Sequence, residues 1–159
     1  MQAAHWAQLL QDSGFAAAIR GGVYLYPFVN VLHVIAVGLI VGPILALDLR
    51  ILGFMRFVSA DHMSRSLTPF AVTGLVIAIP SGFALYASDA VSLSQNRLMW
   101  IKLALIAVGI ANAFLFRTCW NARLAQWEGS ATGIARLQAA LSILIWLAVP
   151  ALGRLVAYI

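Results

Sequence analysis

The chain has 159 residues, 63% of them hydrophobic and 9% charged, with a net charge of +5. Soluble domains carry about 25% charged residues, so this composition cannot cover a water-facing surface and excludes an ordinary soluble domain. The ten basic residues are spread singly and most flank apolar runs. That placement suits helix orientation and headgroup contact rather than nucleic acid.

In chain order, the first twenty residues lack a basic n-region, Arg20 being the first basic residue, so no signal peptide is expected. Residues 3–19 set Trp6, Leu9, Leu10, Phe15 and Ile19 among Gln8, Gln11, Asp12 and Ser13. This pattern predicts one or two short amphipathic helices on the membrane surface. Four later segments reach the roughly 20 apolar residues that a span requires: about 24–47, 69–86, 98–116 and 134–158. Thr68 before Pro69 reads as an N-cap followed by a first-turn proline. Between the spans, 48–67 holds a short helix begun by Ser59, 87–97 is polar and turn-like, and 117–133 is the most polar stretch. The expected fold is all-α: one membrane domain, a four-transmembrane-helix bundle with a short N-terminal amphipathic interfacial helix.

Basic residues near span ends set orientation. Arg50, Arg56, Arg65, Arg117, Arg123 and Arg136 fall on one side, and Arg20, Arg97, Lys102 and Arg154 on the other. Six against four places the first group in the cytoplasm and both termini outside, in the periplasm if the membrane is the bacterial inner membrane that the resemblance described below implies. Trp6, Tyr24, Tyr26, Tyr86, Trp100 and Tyr158 form one aromatic belt, and Trp120 and Trp127 the other.

Gly38 with Gly42, and Gly109 with Ala113, have the spacing that lets helices approach closely. Packing within the chain is the expected use of both, with a dimer face as the alternative. Pro80-Ser81-Gly82 predicts a kink that frees the Val76 carbonyl; Pro150 does the same to Trp146.

Tyr26, Asn30 and His33 share one face of the first span. Gln138, Ser142, Trp146, Pro150 and Arg154 form a drifting stripe on the fourth. With Ser81 and Lys102 they predict a polar pocket in the outer half, comprising Tyr26, Asn30, His33, Ser81, Lys102 and Arg154. Ionisable groups at the centre of a span cost at least about 2.5 kcal/mol and so mark candidate function. Lys102 and Arg154 have a second reading as snorkelling side chains, with Asp89 able to neutralise either. His33 sits too deep to snorkel. It is either a structural imidazole bonded to a neighbouring helix or a cofactor ligand, b-type haem being the candidate. The other histidines, His5 and His62, lie in the amphipathic terminus and a polar loop, so no bis-histidine site is expected, and Met99 is poorly placed as a partner.

At the cytoplasmic end, Asp48 is expected to pair with Arg50 or Arg117 in a structural clamp, near Asn112. Asp12, Asp48, Asp61, Asp89 and Glu128 all fall outside the spans or at their edges, which argues against a transporter using a buried acid. No catalytic triad, phosphate loop or carboxylate pair is present. Cys119 alone excludes an intrachain disulfide and a cysteine-based zinc site, and Met1, Met55, Met63 and Met99 form no copper-transport spacing.

Several segments carry a resemblance. They are Ala18-Ile19-Arg20, Leu32-His33-Val34, Gly42-Pro43 followed by Asp48-Leu49-Arg50, the run 98–105 around Lys102, Asn112-Ala113-Phe114-Leu115-Phe116, Trp127-Glu128 and Gly153-Arg154. Together they resemble a family of small four-helix bacterial inner-membrane proteins known as a domain of unknown function. The resemblance implies the fold and location and no activity. Members often carry a histidine after the Leu-Phe pair of the third span; here that position is Arg117, which removes a partner for His33. A looser likeness, through the Leu-His pair, extends to four-helix haem and copper membrane families.

The expected function is non-enzymatic: an integral membrane protein, or an accessory subunit of a larger membrane complex or homo-oligomer, with its polar pocket around His33. The alternatives are a haem- or quinone-binding redox protein using His33, and a small transporter or channel through the same cluster.

Overall fold

The computed structural model describes residues 2–127, 131–156 and 158. Glu128 lies outside them. In chain order the helices are α1 (Gln2–Gln11), α2 (Gly14–Gly21), α3 (Leu25–Leu52), α4 (Ala60–Ser88), α5 (Ala90–Gln95), α6 (Arg97–Trp120), a 3₁₀ turn (Asn121–Gln126) and α7 (Gly133–Leu155). No strand occurs among the described residues. Four helices are long and apolar enough to cross a membrane: α3, α4, α6 with its 3₁₀ extension, and α7.

Several boundaries differ from the sequence reading, each for a local reason. The first span continues past Leu47 to Leu52. It stops at Gly53, which takes φ +108 and returns its N–H to the last turn, while the Phe54 N–H reaches Leu49 O at 3.0 Å. This left-handed stop satisfies the terminal carbonyls and favours glycine. The second span starts not at Thr68 but at Ala60, capped by Ser59 Oγ accepting from the His62 N–H at 3.1 Å. Pro69 lies inside that helix, and Thr68 Oγ1 donates back to Ser64 O at 2.7 Å as an interior residue. His62 is therefore an exposed first-turn residue and not part of a loop. The stretch read as turn-like contains α5. Helix α7 ends at Leu155.

The N-terminal segment forms two helices joined at Ser13, whose hydroxyl accepts from the Ala16 N–H. They dock on the α5 end of the bundle. Trp6 stacks on Tyr86 and Phe15 on Phe83, with ring centroids 6.4 and 6.2 Å apart. Arg20 donates to the Ser88 carbonyl at 3.0 Å, and Gln11 Oε1 accepts from the Val91 N–H at 2.9 Å.

Among the spans, α3 packs between α4 and α7, and α7 between α3 and α6. The tightest approach is at Gly74 of α4, where a Cβ would lie 2.7 Å from the Ala36 carbonyl and 2.9 Å from Ile40 Cγ1. Gly109 of α6 sits against Trp146 and Ile145 of α7 at 3.1 Å by the same measure. In lipid, such close contacts supply the attraction that hydrophobicity does not. Gly38 and Gly42 behave otherwise. A Cβ at either would meet nothing within 4 Å, so the expected intrachain packing of that pair is corrected: its face is open. The bundle is also open along one seam. Among the described residues, no Cα of α4 lies within 8 Å of a Cα of α6. The Arg117 side chain bridges the two helices, donating to Thr68 Oγ1 at 2.9 Å.

Candidate functional site

Two polar layers lie between the spans. The first is near the α5 end. His33, half-buried on α3, faces α4 at Pro80-Ser81-Gly82, and its Nδ1 is 3.0 Å from Ser81 Oγ. Ser81 is buried, and its hydroxyl lies 2.6 Å from the Ile77 carbonyl and 3.3 Å from that of Ala78. A serine has one proton to give. With that proton on a carbonyl, the contact with His33 requires the ring to donate. That arrangement favours the neutral tautomer with its proton on Nδ1 and a lone pair on Nε2. Gly82 makes room for the ring, since a Cβ there would stand 2.9 Å from His33 Cε1.

Lys102 of α6, half-buried, lies along Gly153 of α7, where a Cβ would be 3.2 Å from Nζ. It is close enough to His33 for its charge to act on the ring. Arg154 is turned onto Tyr158, with its guanidinium 4.7 Å from the ring centroid and a hydrogen bond to the phenol oxygen. Tyr26 and Asn30 are exposed, one to two turns from His33 on the same face of α3. Of the six residues of the expected pocket, the structure joins His33 and Ser81 by a direct contact and sets Lys102 against Gly153 of α7. It leaves Tyr26 and Asn30 on the approach and sends Arg154 elsewhere. Two shallow concavities, of about 230 and 310 Å³, lie at Arg50–Trp127 and at the α5–α6 junction. Neither is lined by His33. Asp89 is exposed, and among the described residues the one ion pair is Asp61–Arg65, at 3.0 Å on the first turns of α4.

The second layer, nearer the 3₁₀ turn, contains an acid that the sequence places at a span edge. Asp48 is inside α3 and 6% exposed. This corrects its placement at a span edge, and with it the inference that no span holds a buried acid. The expected clamp is also corrected. Arg50 donates to the carbonyls of Val58 and Trp127, and Arg117 to Thr68. Asp48 has the Ser142 hydroxyl of α7 beside it, while its Oδ2 has no partner among the described residues. Below Ser142 on the same α7 stripe, Gln138 accepts from Trp120 Nε1 at 3.0 Å and donates to the Asn112 carbonyl at 3.2 Å. One turn above, the buried Trp146 Nε1 is also without a partner. The signal for Asp48 was present: Leu49, Ile51 and Leu52 continue the apolar helix beyond it, and Gly53 is the stop.

Four long apolar helices carrying two interhelical polar layers fit a multi-pass helical membrane protein. Residues 4–159 match the model of DUF6644, a family of unknown function, and the chain belongs to that family. No curated protein and no solved structure matches it.

Proposed function

We propose that the protein is a non-enzymatic bacterial inner-membrane protein that binds an amphipathic small molecule by its polar head at His33, Ser81 and Lys102. The observation that carries this is the 3.0 Å contact of His33 Nδ1 with Ser81 Oγ, whose own proton goes to the Ile77 carbonyl; a ring that donates from Nδ1 keeps Nε2 as an acceptor at membrane depth. Lys102 supplies a donor on the other side. An acceptor and a donor set on two helices suit a ring headgroup bearing paired carbonyl or hydroxyl oxygens, the quinone and quinol class. The apolar tail of such a ligand would lie along the seam between α4 and α6, whose backbones do not pack on each other. Titrating the purified protein with a short-chain quinone, followed by tryptophan fluorescence, should give saturable binding. His33→Ala should abolish it and Lys102→Met weaken it about tenfold, the equivalent of about 1.4 kcal/mol. Non-saturable partitioning, equal in all three proteins, would contradict the proposal.

A second reading uses the same lone pair. An imidazole whose Nδ1–H is fixed by a neighbour is oriented as metal-ligating histidines are, which supports haem ligation by His33 alone. A Soret band after expression with adequate haem, lost in His33→Ala, would favour haem over the quinone reading. For topology, the arginine-rich end is assigned to the cytoplasm. C-terminal reporter fusions should then report a periplasmic C-terminus, and a cytoplasmic one would reverse the assignment.

A further inference from the structure

The second polar layer has no part in the His33 site, and its central group is a carboxyl. Asp48 of α3 lies beside Ser142 of α7 with 6% of its surface exposed. A charge in such a place needs a counter-charge. The cations of that end are occupied with other groups. Arg50 bonds the Val58 and Trp127 carbonyls, Arg56 the Gly53 carbonyl at 3.0 Å, and Arg136 the Leu52 carbonyl at 3.2 Å. Arg117 bonds Thr68, Arg65 bonds Asp61, and Arg123 lies over the Trp120 ring at 5.7 Å. What faces Asp48 is the uncharged hydroxyl of Ser142. A metal cation would need a cage of several oxygens, and no group of three His, Cys, Asp or Glu side chains assembles among the described residues.

We infer that Asp48, with the Ser142 hydroxyl beside it, is an intramembrane proton-binding site that loads and unloads from the arginine-rich end of the bundle. The unpartnered Oδ2 is where the proton resides or departs. The route is short. Asp48 is four residues from the last residue of α3, about 6 Å along the axis. The site takes a proton with no accompanying ligand, and it is independent of what binds at His33.

Infrared difference spectroscopy on the full chain in lipid tests this. The spectrum of the native protein minus that of Asp48→Asn isolates the Asp48 carboxyl. Asn keeps the shape and neutrality of the acid, so the reference protein should fold and melt as the native one does. The expected result is a protonated C=O band that disappears reversibly as pH is raised, is indifferent to Na⁺, and moves to higher frequency in Ser142→Ala. Three results would overturn the inference. A band absent throughout the pH range in which the protein is folded means a permanent carboxylate. A band that never disappears means a structural acid that does not exchange. Loss of the band on adding Na⁺ at constant pH means a cation site. Collapse of the fold in Asp48→Asn but not in Ser142→Ala would also overturn it, by showing that a carboxylate charge holds the bundle.

Discussion

His33 of α3 occupies the space that a side chain at Gly82 of α4 would need. A methyl group at residue 82 would stand 2.9 Å from Cε1 of the imidazole. The Pro80-Ser81-Gly82 turn of α4 therefore acts as a seat, in which Gly82 admits the ring and Ser81 Oγ lies 3.0 Å from its Nδ1.

Gly82→Ala should displace His33 and cost about 1–3 kcal/mol, the usual range for overpacking a fitted contact. The measurement is denaturant unfolding in detergent. Because the clash is with one ring, the double variant with His33→Ala should recover most of that loss. Strict additivity of the two changes would rule out the seat.

The glycines separate into packed and open positions, and alanine substitution should separate them the same way. Gly74→Ala brings a methyl to 2.7 Å from the Ala36 carbonyl. It should force α3 and α4 apart and destabilise the protein by about 2–3 kcal/mol. Gly38→Ala and Gly42→Ala meet nothing within 4 Å and should leave thermal stability unchanged or slightly raised through helix propensity. A large loss at Gly38 or Gly42 would show that this face is covered.

Arg50 holds the connection between α3 and α4 to the segment after the 3₁₀ turn, through the Val58 and Trp127 carbonyls. Arg50→Ala should cost at least about 1.5–3 kcal/mol, the order of one charge-assisted bond, since the bond to Val58 is close and that to Trp127 is long at 3.4 Å. It should also make the bond after exposed Arg56 more susceptible to trypsin in limited proteolysis. Arg123→Ala, which removes an exposed contact with Trp120, should leave the cleavage rate as it is. Equal rates in native and Arg50→Ala proteins would contradict the role given to Arg50.

The four spans were legible because 20-residue apolar runs are long-range averages that one substitution does not disturb. Their ends depend on single residues. Pro69 fits a first turn as well as an interior position, and only the Ser59 cap, with Asp61–Arg65 following it, shows that the helix is already under way. Asp48 looks like the water-facing end of a span because it is charged; its burial depends on α7, whose register against α3 no single sequence states. The same limit applies at His33. Its depth is visible in the sequence, and so is the Pro80-Ser81-Gly82 motif, but their meeting is a relation between two helices. Arg154 shows the converse. Its depth matched the cluster, yet a nearby phenol, Tyr158, offers its guanidinium a partner at the helix end.

The proposed binding at the first layer depends on which nitrogen of His33 bears the proton. The direct measurement is ¹⁵N NMR of the histidine ring in the native protein and in Ser81→Ala, in detergent or lipid. The expected result is a neutral ring protonated at Nδ1, with Nε2 unprotonated, and a shifted or mixed tautomer once Ser81 is removed. A ring protonated at Nε2, with the same spectrum in Ser81→Ala, would contradict it.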